Sequence, residues 1–270
     1  MKWIFETRKS TLIGLLGGLS ILAVMIVISH RQIGDLFNLP GLLMVFGGTL
    51  AATLVSRPVQ DVVRSLKTVR SLLGDERVEI DAEVTHLLNT AQWYRTGNIR
   101  EAEAIVNQIE NALLRSGLQM ILDREPLEDV VKTLKWRIAG LRSRELGDAQ
   151  ILRTMAMFAP AFGMLGTLFG LTLMLGSLGN AALTEIGAMM SFALITTLYG
   201  LLLANMVLKP LAMKMERRTE HRTLVMNLIV EGIVLLAERR HPTAIKDALT
   251  TFMLQHQATH TSNTGMARAA

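Results

Sequence analysis

The sequence predicts an all-α membrane protein with four transmembrane helices in two hairpins and a helical cytoplasmic domain between spans two and three. Three observations predict this class: four long uncharged stretches, basic residues placed outside them, and helical periodicity between the hairpins. Half of the residues are hydrophobic and 19% are charged. This balance is typical of a membrane protein with a sizeable water-exposed part.

The four uncharged stretches cover residues 11–29, 36–56, 154–184 and 186–208. Each is long enough to cross a hydrocarbon core of roughly 30 Å as a helix that rises about 1.5 Å per residue. The third is too long for one crossing, and the segment 176–180 predicts the turn that ends it. Because an ion-conducting protein normally carries an ionisable residue inside the bilayer, any ion relay served by this chain must be completed by another chain.

The placement of the charges predicts the topology. Lysines and arginines cluster before the first stretch, after the second, before the third and after the fourth, whereas the two outer loops contain only Arg31, Asp35 and Glu185. By the positive-inside rule, both termini and the long middle segment are cytoplasmic. The net charge of +5 is therefore interpreted as a topology signal and not as a nucleic-acid-binding patch.

The predicted organisation has four parts. Residues 1–56 form the first transmembrane hairpin, 57–153 the cytoplasmic helical domain, 154–208 the second hairpin, and 209–270 a cytoplasmic C-terminal helix and tail. The residues from about position 259 onward are small and polar, which predicts disorder.

The middle segment predicts three amphipathic helices from the spacing of its apolar residues. The first, at 80–94, is ended by Gly97. The second begins at position 99 and ends near Ser116-Gly117, and the third follows Pro126. The same spacing predicts a packed helix in the C-terminal tail, at 224–240.

The densest motif in the uncharged stretches is a small-residue face in the third span. Gly166 and Gly170 form a GxxxG pair, and Gly163 extends the same face. Small residues let helix backbones approach closely in lipid, so these glycines can serve helix packing alone. Pro160 removes a backbone hydrogen bond and predicts a kink near the cytoplasmic end of the span.

Three threonines leave two interpretations open. Thr167 lies in the small-residue run, and Thr196 and Thr197 lie near the middle of span four. A threonine hydroxyl can bond a carbonyl of its own helix, or hydroxyls of neighbouring spans can replace water around a small cation. Pro210, where span four leaves the membrane, can simply mark the end of the helix.

No enzyme motif is present. The sequence contains no P-loop, HExxH, Cys/His cluster or GxSxG, it has no cysteine, and its six histidines are scattered. The chain is therefore predicted not to be an enzyme, and to need no cofactor and no metal.

The motifs, taken in order, resemble the MotA/PomA subunit of the bacterial flagellar stator, within the wider MotA/TolQ/ExbB group. The likeness runs from about position 14 to 249 and is closest to the sodium-type PomA branch. It rests on the glycines at 14–18, Gly47-Gly48, and the segments 159–167, 194–200 and 208–210.

The resemblance implies an assembly in the bacterial inner membrane. Five copies of such a subunit surround two copies of a MotB/PomB-type partner, which supplies a membrane aspartate and a peptidoglycan-binding domain. Ion passage along that aspartate rotates the pentamer, and the cytoplasmic domain pushes the rotor protein FliG. A partner carboxylate agrees with the absence of one from the spans of this chain.

The resemblance also implies roles for residues in the membrane. Pro160 and Pro210 match the two family prolines that couple ion flow to conformational change. Thr167, Thr196 and Thr197 match threonines that line the ion path of sodium-type members, so that sodium is slightly favoured over protons as the transported ion.

In the cytoplasmic domain, Arg95 and Glu103 match the family residues that contact the rotor. Without the resemblance, the sequence would indicate only two solvent-exposed charges at these positions. The chain departs from the family at two places. Arg100 and Glu101 alter the charge around Arg95, and Asn38 replaces a PomA-type aspartate near the outer mouth of span two, which weakens cation attraction there.

Two other classes stay open. An ExbB/TolQ-type energiser would transmit ion-driven force to an envelope protein, but such relatives usually have three spans and an outside N-terminus. A passive membrane scaffold would leave the ordered motifs unexplained.

Overall fold

The computed structural model describes residues 37–72, 80–179 and 182–252, together with Gly17 and Ser20. All the regular secondary structure in these ranges is helical, which confirms the predicted all-α class there. The helices are α1 (Leu39–Ser56), α2 (Val59–Leu72), α3 (Ile80–Thr96), α4 (Ile99–Val106), α5 (Ala112–Leu122), α6 (Leu127–Ser177), α7 (Leu183–Ala237) and α8 (242–252).

Three of the helices in the described ranges, α1, α6 and α7, are long and apolar enough to cross a membrane. They contain most of the predicted spans two and three and all of span four. Of the predicted first span, 11–29, only Gly17 and Ser20 are described, and both are helical. The rest of that span and the tail from position 259 lie outside the described residues, so the four-span topology stays a prediction.

The chain divides into two compact units. Unit 1 comprises Met1–Leu73 and Gly147–Met215, and unit 2 comprises Gly74–Leu146 and Glu216–Ala270. Of the three boundaries, the one at 146/147 falls inside α6 and the one at 215/216 falls inside α7. The four-part organisation drawn from the sequence is not tested by this division and stays a prediction.

Unit 1 has a core rich in small side chains. Ala149, Ala156 and Ala159 of α6 are buried with Ala204 and Ala212 of α7. Aliphatic side chains complete this core: Val45, Val62, Ile151, Leu152, Leu203 and Leu208, with Met155 and Met215. Alanine at a helix crossing allows the backbones to come close. The resulting van der Waals packing favours helix association in lipid.

Unit 2 has a conventional aliphatic core. Its fully buried side chains include Leu87 of α3, Leu114 and Leu118 of α5, Leu134 of α6 and Ile233 of α7. The predicted end of the first cytoplasmic helix is confirmed, because α3 stops at Thr96 and is followed by Gly97 with φ of 82°. Glycine adopts this left-handed conformation without steric cost.

The predicted second helix of the cytoplasmic segment is wrong at its end. The apolar stripe is divided between α4 and α5, and Gly117 lies inside α5. The Asn111 side chain begins α5 by accepting hydrogen bonds from the backbone N–H groups of Leu113 and Leu114, at 3.0 and 3.3 Å. Gly117 does not end a helix; a Cβ there would lie 2.5 Å from Ile233 Cδ1, so the glycine makes room for the core.

The predicted third helix begins after Pro126, as expected, but it does not stop before the membrane segment. α6 continues for 51 residues to Ser177. Its end confirms the turn predicted at 176–180, where Gly179 has φ of 104°. The helix predicted at 224–240 is likewise the continuation of α7.

Candidate functional site

Thr196 of α7 lies at the centre of a three-helix contact in unit 1. It is fully buried, and glycines on the two neighbouring helices make room for it. A Cβ on Gly41 of α1 would lie 3.1 Å from Thr196 Cγ2, and a Cβ on Gly166 of α6 would overlap the Thr196 Oγ1 and Cβ atoms. The site is therefore a tight junction of α1, α6 and α7, with a hydroxyl at its middle.

The three predicted ion-path hydroxyls all donate to backbone carbonyls. Thr196 Oγ1 donates to the Ala193 carbonyl at 2.8 Å, and Thr167 Oγ1 donates to the Met164 carbonyl at 2.6 Å. The half-buried Thr197 reaches across to α6, where its Oγ1 lies 3.4 Å from the Gly163 carbonyl. Since a hydroxyl oxygen that donates one bond keeps its lone pairs, each oxygen can still accept a bond or face a cation.

The predicted small face of α6 packs directly on α7. A Cβ on Gly163 would lie 3.0 Å from the Thr196 carbonyl oxygen, and one on Gly170 would lie 2.9 Å from Ala193 Cβ. Backbone atoms of the other helix come nearest at Gly200 of α7, where a Cβ would lie 2.6 Å from the Ala159 carbonyl oxygen and 3.2 Å from Pro160 Cα. The backbones of α6 and α7 are therefore in close contact where Gly200 faces Pro160.

Both predicted coupling prolines lie inside continuous helices. Pro160 is in the interior of α6. The simple interpretation of Pro210 as a helix end is wrong, because α7 continues to Ala237. A π-helical segment, Leu203–Leu208, precedes Pro210, and the Lys209 N–H donates to the carbonyl of Ala204. This wider turn lets the helix pass a residue that lacks a backbone donor.

Asn38 is the N-cap of α1. Its Oδ1 accepts a hydrogen bond from the Gly41 N–H at 2.9 Å, and its own N–H donates to the Tyr199 hydroxyl of α7 at 2.9 Å. α1 thus begins level with Thr196, whereas α7 extends from there to Leu183, about 20 Å at 1.5 Å per residue. Position 38 lies beside the threonine junction and not at the outer end of α7.

A charged contact that the sequence did not reveal joins α2 to α6. Asp148 is buried, and its Oδ1 accepts bonds from Arg64 Nε at 2.9 Å and from a terminal guanidinium nitrogen at 2.8 Å. The Ser65 hydroxyl donates to the Asp148 carbonyl at 2.9 Å. Hydrogen bonding to Asp148 raises the pKa of Arg64 above its ordinary value. The only signal in the sequence was that Asp148 is the last acid before the third span.

The predicted rotor-contact residues lie in unit 2 on consecutive helices. Arg95 is in the last turn of α3 and Glu103 is in α4, and both are exposed. The turn at Gly97 separates them, as the sequence predicted. Arg100 and Glu101 are also exposed on α4, so the four charges surround a single helix–turn–helix.

The part of the chain that the structure describes contains shallow clefts. A cleft of about 510 Å³ in unit 2 is lined by Arg115, Gln119 and Arg137 among others. Within the described ranges, no group of three or more His, Asp or Glu side chains is placed to hold a metal ion.

The chain is similar to proteins of one known family. The sequence model of the MotA/TolQ/ExbB proton channel family matches residues 105–228. The chemotaxis protein PomA of Vibrio alginolyticus is 29% identical over 247 residues, which cover 90% of this chain and 94% of that protein. The family consists of ion channels, and the chain is not an enzyme.

Two solved structures share the fold. The MotAB structure from C. jejuni matches with a TM-score of 0.82 at 21% identity, and it covers 90% of this chain and 94% of that chain. The flagellar MotAB stator complex from Bacillus subtilis matches with a TM-score of 0.81 at 22% identity, over 93% of this chain and 99% of that chain. The chain is therefore similar to the MotA/TolQ/ExbB proton channel family over residues 105–228, and it is similar to MotA- and PomA-type relatives over most of its length.

Proposed function

We propose that this chain is the ion-conducting subunit of a flagellar stator, which couples cation flow across the bacterial inner membrane to torque on the flagellar rotor. The observation that carries the proposal is a similarity to PomA that extends through 90% of this chain. It includes the long helices that contain the glycine, threonine and proline motifs, and it is not confined to a generic transmembrane segment.

The proposal includes partners. The uncharged segments of α1, α6 and α7 contain no carboxylate, so a MotB/PomB-type subunit would supply the membrane aspartate that carries the ion. The structure from Bacillus subtilis is described as a MotAB stator complex, which supports such a partner. Five copies of this chain would surround two of the partner, with both termini cytoplasmic and with FliG as the rotor protein contacted.

Sodium is the ion proposed over protons. Hard cations prefer oxygen ligands, and the junction of α1, α6 and α7 offers the Thr196 oxygen, with the Thr197 and Thr167 oxygens on the adjoining surfaces. Each of these oxygens retains acceptor capacity. Asn38, which lies beside the junction, contributes a neutral amide where a PomA-type aspartate would add attraction.

Replacement of Thr196 by valine tests the sodium proposal. Valine keeps the branched shape but removes the oxygen. We therefore expect that the swimming speed of cells with this variant no longer rises with external sodium. Thr196→Ser, which keeps the hydroxyl, is expected to retain the sodium response. The measurement is swimming speed against sodium concentration at constant ionic strength.

The matched control for this experiment is Thr49→Val. Thr49 is also buried, and its hydroxyl donates to the Val45 carbonyl at 2.6 Å, but it has no proposed role in the ion path. If the wild-type protein drives undiminished motility in sodium-free medium, the sodium proposal is wrong while the stator proposal stands.

Reversal of the charge at Arg95 tests the stator proposal itself. Arg95 is exposed at the end of α3, so Arg95→Glu should leave folding and membrane insertion intact. Because torque requires a charged contact with the rotor, we expect at least a severalfold loss of swimming speed at an unchanged protein level in the membrane. Speed in tethered or swimming cells and immunoblotting of membranes provide the two measurements.

Arg115→Glu is the matched control, since Arg115 is an exposed arginine of the same unit on α5. Normal motility is expected from it. Full motility of Arg95→Glu would count against the rotor contact. An ExbB/TolQ-type energiser would show no motility defect in either variant, and would instead lose energised envelope transport when the chain is deleted.

A further inference from the structure

The outward face of α2 is an exposed apolar stripe outside the predicted spans. Val59, Val63 and Leu66 recur at helical spacing and are 60%, 44% and 45% exposed. The adjoining side of the helix is packed in unit 1, where Val62 and Ser65 are buried. α2 is therefore an amphipathic helix. The residues on its inner side contact other helices of unit 1, and the aliphatic stripe on its outer side is exposed in a single chain.

Basic residues accompany the stripe. Residues 57–72 contain Arg57, Arg64, Lys67 and Arg70, and their only acid is Asp61. Arg64 binds Asp61 at 2.7 Å as well as the buried Asp148. Lys67 and Arg70 are exposed, and on a helix of 3.6 residues per turn they lie beside and just beyond Leu66. Within the described residues, the exposed face thus combines an aliphatic stripe with the exposed positive charges of Lys67 and Arg70.

The apolar surface of α2 continues that of α1. Near the end of α1, Leu54 and Val55 are exposed by 37% and 90%. Arg57 has an extended backbone, with φ of −141° and ψ of 145°. This is the conformation favoured by a residue that precedes a proline, here Pro58. The two residues interrupt the helix, so α2 starts directly beside the end of a membrane-length helix but does not continue its axis.

α2 is held in this place by its inner face. The Arg64–Asp148 ion pair and the Ser65–Asp148 hydrogen bond attach it to α6, and Val62 is buried in the unit 1 core. These contacts determine which side of the helix stays outward. An amphipathic helix with basic residues beside its apolar stripe is the kind that lies in the membrane interface and attracts anionic lipids.

We propose that the outer face of α2 lies in the cytoplasmic headgroup region and binds anionic phospholipids, with Val59, Val63 and Leu66 at the acyl boundary and Lys67 and Arg70 on lipid phosphates. The proposal rests on α1 crossing the membrane and does not depend on which ion the protein conducts. A second copy of this chain is the less suitable occupant, because two such faces packed together would oppose their positive charges.

The absence of cysteine from the chain allows a direct test by spin labelling. Val63→Cys in the full chain, labelled with a nitroxide and reconstituted in phosphatidylglycerol-containing vesicles, is expected to collide severalfold more with oxygen than with a water-soluble nickel chelate, relative to Gln108→Cys. Gln108 is an exposed position of unit 2 and serves as the water reference.

Two results of the labelling would overturn the proposal. Equal collision ratios at positions 63 and 108 would mean that the stripe faces water. Exclusion of both collision agents at position 63, together with spectral broadening from neighbouring labels, would mean that a second copy covers it.

Charge removal tests the lipid headgroups. In nanodiscs, phosphatidylglycerol is expected to raise the thermal midpoint of the full chain above its value in phosphatidylcholine, and Lys67→Gln/Arg70→Gln should reduce that rise by at least half. Arg115→Gln/Arg137→Gln removes two exposed charges of unit 2 and should preserve it. A rise that survives in the α2 double variant, or one that inorganic phosphate reproduces in phosphatidylcholine, contradicts lipid binding by these residues.

Discussion

Replacement of Gly200 by alanine is expected to separate α7 from α6 and to destabilise unit 1 by about 3 kcal/mol, at the upper end of the usual cost of overpacking. A Cβ at this position would lie 2.6 Å from the Ala159 carbonyl oxygen and 3.2 Å from Pro160 Cα. Both are backbone atoms of a helix, so neither can move away as a flexible side chain would. The defect should appear as a lower thermal midpoint of the purified protein in detergent and as lost motility.

Gly187→Ala is the matched control for this variant. Gly187 also lies in the apolar part of α7, but a Cβ there would meet no atom within 4 Å. Both substitutions replace glycine by alanine in a helix, and both gain about 1 kcal/mol in helix propensity. The difference between the thermal midpoints of the two variants therefore reports only the contact with α6. Equal thermal midpoints for the two variants would refute the close approach at Gly200.

Replacement of Arg64 by leucine is expected to destabilise unit 1 by about 2 kcal/mol. The Asp148 side chain is 5% exposed, and removal of its cation leaves a buried carboxylate without its charge partner, which typically costs about 3–5 kcal/mol. The smaller value applies because the Arg64 side chain is 38% exposed, so water can reach the vacated position and offset part of the loss.

The double variant Arg64→Leu/Asp148→Leu provides the decisive comparison. It removes both charges, and a well-packed apolar pair can be as stable as the ion pair that it replaces. We therefore expect the thermal midpoint to recover towards that of the wild type. Asp61→Asn, which removes the exposed partner of Arg64, should change stability by less than about 1 kcal/mol. If the double variant is no more stable than Arg64→Leu, the buried carboxylate is not the source of the defect.

Local chemistry explains where the sequence predicted the fold well. Gly97 and Gly179 adopt left-handed backbone conformations, and Pro126 precedes the start of α6. Glycine permits a positive φ because it has no Cβ, and proline fixes φ and lacks a backbone donor. The end of α3, the start of α6 and the turn after α6 therefore follow from single residues.

Helix continuity was predicted less well, because an apolar period does not record where a helix is capped or where one of its turns widens. The spacing of apolar residues continues from α4 into α5, since Ile109 is buried between the two helices and Leu113 follows in α5. The helix itself does not continue, because Asn111 caps the start of α5. Pro210 should favour a helix end, yet the π-helical turn before it keeps α7 continuous. Periodicity alone does not distinguish one helix from two that share a core.

The site was predicted in part. The sequence singled out Gly163, Gly166 and Gly170 as a small face, and α7 packs on that face. It did not reveal that Gly41 and Gly200 make room on the facing helices, because an isolated glycine carries no sign of what approaches it. Roles for the threonines, the two prolines, Arg95 and Glu103 came from resemblance to the family and stay proposals.

By itself, the sequence determined the helical class, the positions of the apolar segments and the absence of a carboxylate from them, because composition and periodicity are local properties of a chain. Only the tertiary structure decided which helix faces meet. Thr196 is enclosed by glycines of two other helices, and Arg64 binds an acid 84 residues away. Such pairings depend on shape and charge matched across long separations, which no local pattern records.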